Sequence, residues 1–156
     1  MKLLLKKLPS LALLFSAFLL SVERPARTAE KNPQSVQVTI RSILAGNNAD
    51  EFDVKLKGME QQLKSLKYRS YRSLKDDSKV VPWQGSQSFE IPGGRTLTVV
   101  PQEFQDNRIA VKVRLTAGDK PVVDTTVKIP NKGNFILGGP AHEGGVLVLS
   151  ISAAAQ

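Results

Sequence analysis

From about residue 88 onward the chain is a succession of short extended segments, several with every second residue apolar, closed by turns rich in Gly, Pro or Asn. That grammar is the tightest constraint on its fold. A period of two places alternate side chains on opposite faces of a strand, so one face can be buried while the other stays wet. Arg108 to Leu115 is the clearest case, with Ile109, Val111, Val113 and Leu115 inward and Arg108, Lys112 and Arg114 outward. Arg95–Val100 and Val122–Ile129 follow the same rule, Asn134–Leu137 and Gly145–Ile151 form a last strand pair, and Ser88–Ile91 is a shorter extended piece. The breaks are Pro92-Gly93-Gly94, Ala117-Gly118-Asp119-Lys120, Pro130-Asn131-Lys132-Gly133 and the loop from Gly138 to Gly144. Strands joined by turns this short pair antiparallel.

Upstream the pattern changes. Ser35 to Ile43 alternates, with Val36, Val38 and Ile40 on one face, and Ala45-Gly46-Asn47-Asn48 stops it. Phe52, Leu56, Met59, Leu63 and Leu66 then recur at spacings of four, three, four and three, which predicts one amphipathic helix facing the core. Asn48 or Asp50 is the expected N-cap, and Asp50, Glu51 and Asp53 suit the positive end of its dipole. Tyr68–Leu74 predicts a strand, Lys75 begins a charged turn, and Pro82-Trp83-Gln84-Gly85 is a further break. The expected fold class is therefore α+β: one N-terminal strand and one amphipathic helix, then an antiparallel meander of about six strands, with a sandwich as a variant.

The N-terminus has a different composition. Lys2, Lys6 and Lys7 precede an uncharged run, Leu8 to Val22, and a polar stretch with Pro25 follows. A basic start, a short apolar run and a polar end make a secretory signal peptide over 1–29. The apolar run is shorter than the roughly 20 residues that span a bilayer. An uncleaved anchor is the alternative. Cleavage after Ala29 or after Ala26 leaves Arg27 or Arg24 two residues before the cut, so the position stays open. Residues 30–35 read as a flexible lead-in and 36–153 as a single domain. The expected location is exported, periplasmic or extracellular, with no transmembrane span once the signal is removed.

Charge has to be counted without that segment. The chain carries a net +8, but residues 30–156 hold 17 bases and 13 acids. A mildly basic exported domain is not a nucleic-acid binder. There is no Cys, so the domain holds together through its core alone.

The inventory for catalysis is thin. His142 is the one histidine, and Glu143 follows it in a glycine-rich loop. The pair could serve a hydrolase. A zinc site needs three or four ligands, and the chain has no partner motif to supply them. As the plainer alternative, His142 is a solvated residue at a hairpin tip. Gly138-Gly139 and Gly144-Gly145 lead into Val-Leu-Val-Leu rather than Lys-Ser/Thr and a helix, so they are turn glycines and not a phosphate loop. No enzyme activity, cofactor or metal is expected. One surface feature suggests binding: Lys67, Arg69, Arg72 and Lys75, with Lys64 beside them, interleave with Tyr68 and Tyr71. Such a cluster could grip an envelope protein or an acidic glycan or lipid. Its alternative is a solvated helix end.

Ile91-Pro92-Gly93-Gly94-Arg95-Thr96-Leu97, then Asn131 to Pro140, then Gly144-Gly145-Val146-Leu147-Val148-Leu149-Ser150-Ile151 resemble small exported bacterial proteins of uncharacterised function. The strand, turn and apolar strand into Gly-Gly are also similar to strand pairs of the secretin family of outer-membrane channels. That resemblance implies an envelope role, at most as an accessory subunit of a secretion or outer-membrane assembly, and carries over no functional residue. The expected function is a non-enzymatic binding or structural module of the bacterial cell envelope.

Overall fold

A computed structural model describes residues 32–156. The signal peptide expected over 1–29 and the first residues of the lead-in lie outside that range. The elements in chain order are β1 (Ser35–Gly46), β2 (Glu51–Phe52), a 3-10 turn (Val54–Met59) running into α1 (Glu60–Lys64), β3 (Ser70–Pro82), β4 (Gln87–Ile91), β5 (Arg95–Gln105), β6 (Arg108–Ala117), β7 (Lys120–Pro130), β8 (Gly133–His142) and β9 (Gly145–Ala155). They form a five-stranded sheet, β2-β3-β1-β9-β8, and a four-stranded sheet, β4-β5-β6-β7. All pairings are antiparallel except the short β2–β3 contact.

The α+β expectation is corrected by this architecture. Strands make up 68% of the described residues, the helical segment is one short piece of 11, and the two sheets curl into a half-barrel. Nor is there one continuous meander after the helix. The chain leaves the first sheet after β3, builds the second from β4 to β7, and returns with β8 and β9 to pair against β1.

The expected amphipathic helix is cut short for local reasons. The N–H groups of Glu51 and Asp53 donate to the carbonyls of Arg69 and Tyr71, so residues 51–52 become a strand rung. Asp50 is not the cap: its carboxylate takes the Arg69 guanidinium at 2.6 and 2.9 Å. Asp53 caps instead, accepting from the Lys55 N–H at 2.9 Å, with its second oxygen on the Ser73 N–H at 3.1 Å. Gly58 then sits inside the segment, where its missing side chain weakens helix formation. What remains is one 3-10 stretch and little more than one α-turn. The stripe still turns inward: Leu56 and Leu63 are fully buried, while Leu66 is 37% exposed.

The strand expected to end at Leu74 continues to Pro82. Asp76-Asp77 looks like a turn in isolation. Here Asp76 lies opposite Arg41 on β1, and both its oxygens accept from that guanidinium at 2.8 Å. A cross-strand partner outweighs the local turn preference. The surplus residue is absorbed by a bulge, where Ile43 pairs with Ser73 and Ser42 with Lys75.

Alternation divides the apolar residues between two cores. Val36, Val38 and Ile40 of β1 and Leu147, Leu149 and Ile151 of β9 face the second sheet, meeting Leu97, Val99 and the Ile109–Leu115 series. Ile43, Ala45 and Val148 face the other way and are covered by Leu56, Leu63 and Tyr71. The order of layers is sheet, sheet, helical segment. Close approach explains one glycine: a Cβ on Gly145 would lie 2.4 Å from the Ala45 carbonyl oxygen, so β9 could not start beside β1 with any larger residue. At the other end the Trp83 indole N–H donates to the Pro33 carbonyl at 2.7 Å, and Gln34 and Ser35 bond to Gln156. The described end of the expected flexible lead-in is thus tied down.

Candidate functional site

The basic, tyrosine-bearing run is taken apart by the fold. Tyr71 sits on β3 opposite Ala45, so its ring points into the core beneath the helical segment and is 2% exposed. Its hydroxyl donates to the Leu63 carbonyl and accepts from the Tyr68 N–H at 3.1 Å. Tyr68 is half-buried and packs edge-on against Tyr71, with ring centroids 6.3 Å apart. Both tyrosines therefore hold the segment to the sheet. Arg69 is engaged with Asp50, which raises the guanidinium pKa from its usual value and lowers that of the carboxyl, in each case chiefly through their hydrogen bonds. Lys75 reaches across to the second sheet, where its ammonium donates to the Glu90 carbonyl at 3.2 Å.

Arg72 faces away from Tyr71, as alternation requires, into a shallow cleft with Glu51, Ser70, Asn48 and Glu143. It makes no ion pair among the described residues. Lys67, three residues past the end of α1, has φ +64° and is exposed. Of the six residues singled out in sequence, Lys67 and Arg69 share the helical layer's rim, while Arg72 and Lys75 face elsewhere.

His142 is not a solvated tip residue. Its side chain is only 12% exposed and lies between two hairpin turns. Arg95 of β5 donates to the carbonyls of Pro92 and Ala141 at 2.9 and 3.1 Å and stands 3.5 Å from His142 Nδ1. Nδ1 faces the guanidinium, and Nε2 faces Glu143 at 3.8 Å. Both ring nitrogens are thus turned to charged neighbours, and no hydroxyl of the described residues is hydrogen-bonded to either. The arrangement ties the β4–β5 turn to the β8–β9 hairpin. Among the described residues no group of three or more His, Cys, Asp or Glu is placed to hold a metal.

Val54, Lys55 and Lys57, absent from the basic cluster read in the sequence, are exposed on the helical segment. From Asp53 to Arg69 there are five bases, Lys55, Lys57, Lys64, Lys67 and Arg69, against two acids, Asp53 and Glu60. Glu60 pairs with Lys64, and Asp53 is turned onto the main chain, whose N–H groups hold its carboxyl below the ordinary carboxylate range. Lys55, Lys57 and Lys67 stay exposed with no ion pair among the described residues. Val54, at the start of the segment, is 82% exposed. The available signal for Lys55 and Lys57 was the complement of the apolar stripe, since they flank Leu56, whereas Lys67 lies beyond the end of α1.

Among the described residues no helix is long and apolar enough to cross a membrane. Comparison with models of known protein families, with curated proteins and with solved structures returns no match.

Proposed function

We propose that this protein is an exported, non-enzymatic binding module of the bacterial cell envelope that holds an acidic partner on the outer face of its helical layer. The carrying observation is the charge distribution. Of the five bases from Asp53 to Arg69, Lys64 pairs with Glu60 and Arg69 with Asp50, and Lys55, Lys57 and Lys67 are left without an ion pair among the described residues. A surface with an excess of one sign attracts a partner of the other and steers its approach. Export is supported by the order of Lys2, Lys6 and Lys7, the apolar run from Leu8 to Val22, and the polar stretch after it. The surroundings of His142 support a structural tie rather than a base.

The test is in-cell crosslinking of the full chain, carrying a photoreactive residue at Gln61 on the exposed side of the layer or at Thr126 on β7. Adducts with an envelope component at Gln61 and none at Thr126 are the expected result. A chain confined to the cytoplasm, or adducts formed equally at both positions, would overturn the reading. So would a substrate turnover that His142→Ala abolishes while the fold persists.

A further inference from the structure

We infer that the acidic partner is the headgroup surface of an anionic lipid bilayer, on which the helical layer rests; this builds on the proposed function above. Charge alone would fit any polyanion. Exposed apolar residues beside these lysines narrow the choice. Val54 is 82% exposed and Leu66 37% exposed, and they stand at the two ends of the lysine-bearing segment, Val54 before Lys55 and Leu66 before Lys67. A soluble polyanion offers nothing to these side chains. A bilayer interface accepts apolar side chains between its headgroups while neighbouring lysines reach its phosphates, the arrangement of interfacial amphipathic segments. Lysine stems can lie along the apolar zone with their ammonium groups in water, so Lys55, Lys57 and Lys67 need not retract for Val54 and Leu66 to enter.

The rest of the layer is consistent with a face presented whole. Its inner side is committed to the sheet through Leu56, Leu63 and Tyr71. Its acids are occupied, Glu60 by Lys64 and Asp53 by backbone N–H groups, so the outward field comes from the unpaired lysines.

The chain has no cysteine, so a single one can carry a polarity-sensitive dye in the full-length protein. Val54→Cys and Leu66→Cys place the dye on the proposed face, and Val122→Cys, exposed on β7, is the control. The vesicles are phosphatidylcholine with and without phosphatidylglycerol, and each includes lipid brominated high in its acyl chains as quencher. The expected result is a blue shift and quenching at 54 and 66 only when phosphatidylglycerol is present, with the dye at 122 unaffected. Replacing Lys55, Lys57 and Lys67 together by Gln should abolish that response. Equal responses at all three positions, or none, would overturn the lipid assignment. Heparin separates the two readings. If it is retained through the same lysines while no dye meets lipid, the acidic-partner reading stands and this inference falls. If neither heparin nor vesicles are held through those lysines, both fall.

Discussion

At Tyr71 a single hydroxyl closes two backbone valences that the helical segment leaves open: the Leu63 carbonyl and the Tyr68 N–H. Removing one partner of a buried hydrogen bond leaves the others unsatisfied, which costs more than the bond itself contributes. Tyr71→Phe keeps the ring and its packing, and is expected to destabilise the fold by about 1–3 kcal/mol, read from urea midpoints at constant slope. Asp53 gives a pH signature. Its carboxyl titrates lower in the fold than in the unfolded chain, chiefly because the Lys55 N–H bonds to it, with Ser73 second. A depressed folded value means the stabilisation is present above the unfolded value, near 3.9, and is lost as pH falls through the folded one. Asp50 behaves in the same sense through Arg69. Thermal melts from pH 6 down to pH 2 should therefore show stability falling below about pH 4, and Asp53→Asn should flatten part of that fall.

Among the elements, the two sheets are left unjoined both between β3 and β4 and between β7 and β8, which are not hydrogen-bonded neighbours. A free strand edge invites another chain to pair, and inward-pointing lysines are one of the devices that prevent it. Here the ammonium groups of Lys75 and Lys79 donate to the Glu90 and Ser88 carbonyls on the free edge of β4, and Lys79 also lies 4.9 Å from the Phe89 ring centre. Replacing both by Ala should expose those carbonyls and produce concentration-dependent self-association in sedimentation velocity, while single replacements do so less. Such strand edges also show what could be read beforehand. Arg108–Leu115 was legible because four apolar residues alternate without interruption and all four end fully buried. Lys75 to Val81 was not, because its charges find partners only across the sheet, Asp76 on Arg41 and Lys79 on β4. The helix was half legible: its spacing gave the buried side of Leu56 and Leu63, but spacing cannot register that residues 51–52 pair with β3. The basic cluster misled for the opposite reason. Five of its six members lie within six residues of sequence, and the pleat of β3 sends Tyr71 inward and Arg72 outward.

Across the whole molecule, stability is divided between two cores of unequal size. The larger draws on both sheets, whereas the smaller is roofed only by the short helical segment. Segments with few buried contacts open locally, below the free energy of global unfolding. Native-state hydrogen exchange should therefore show residues 55–66 exchanging through such an opening, with amides of β1, β6 and β9 exchanging only with the whole. Leu63→Ala should lower the protection of the first group far more than that of the second. The position of β1 carries a different kind of consequence. This strand runs down the middle of its sheet, and one of its two flanks is supplied by β9, more than a hundred residues later. Synthesis delivers β1 early and β9 late. Until Gly145 and beyond have left the ribosome, half of the β1 backbone groups have nothing to bond and the inner core lacks Leu147, Leu149 and Ile151. The nascent chain is thus barred from its final form until β9 has been made, a delay written into strand order alone.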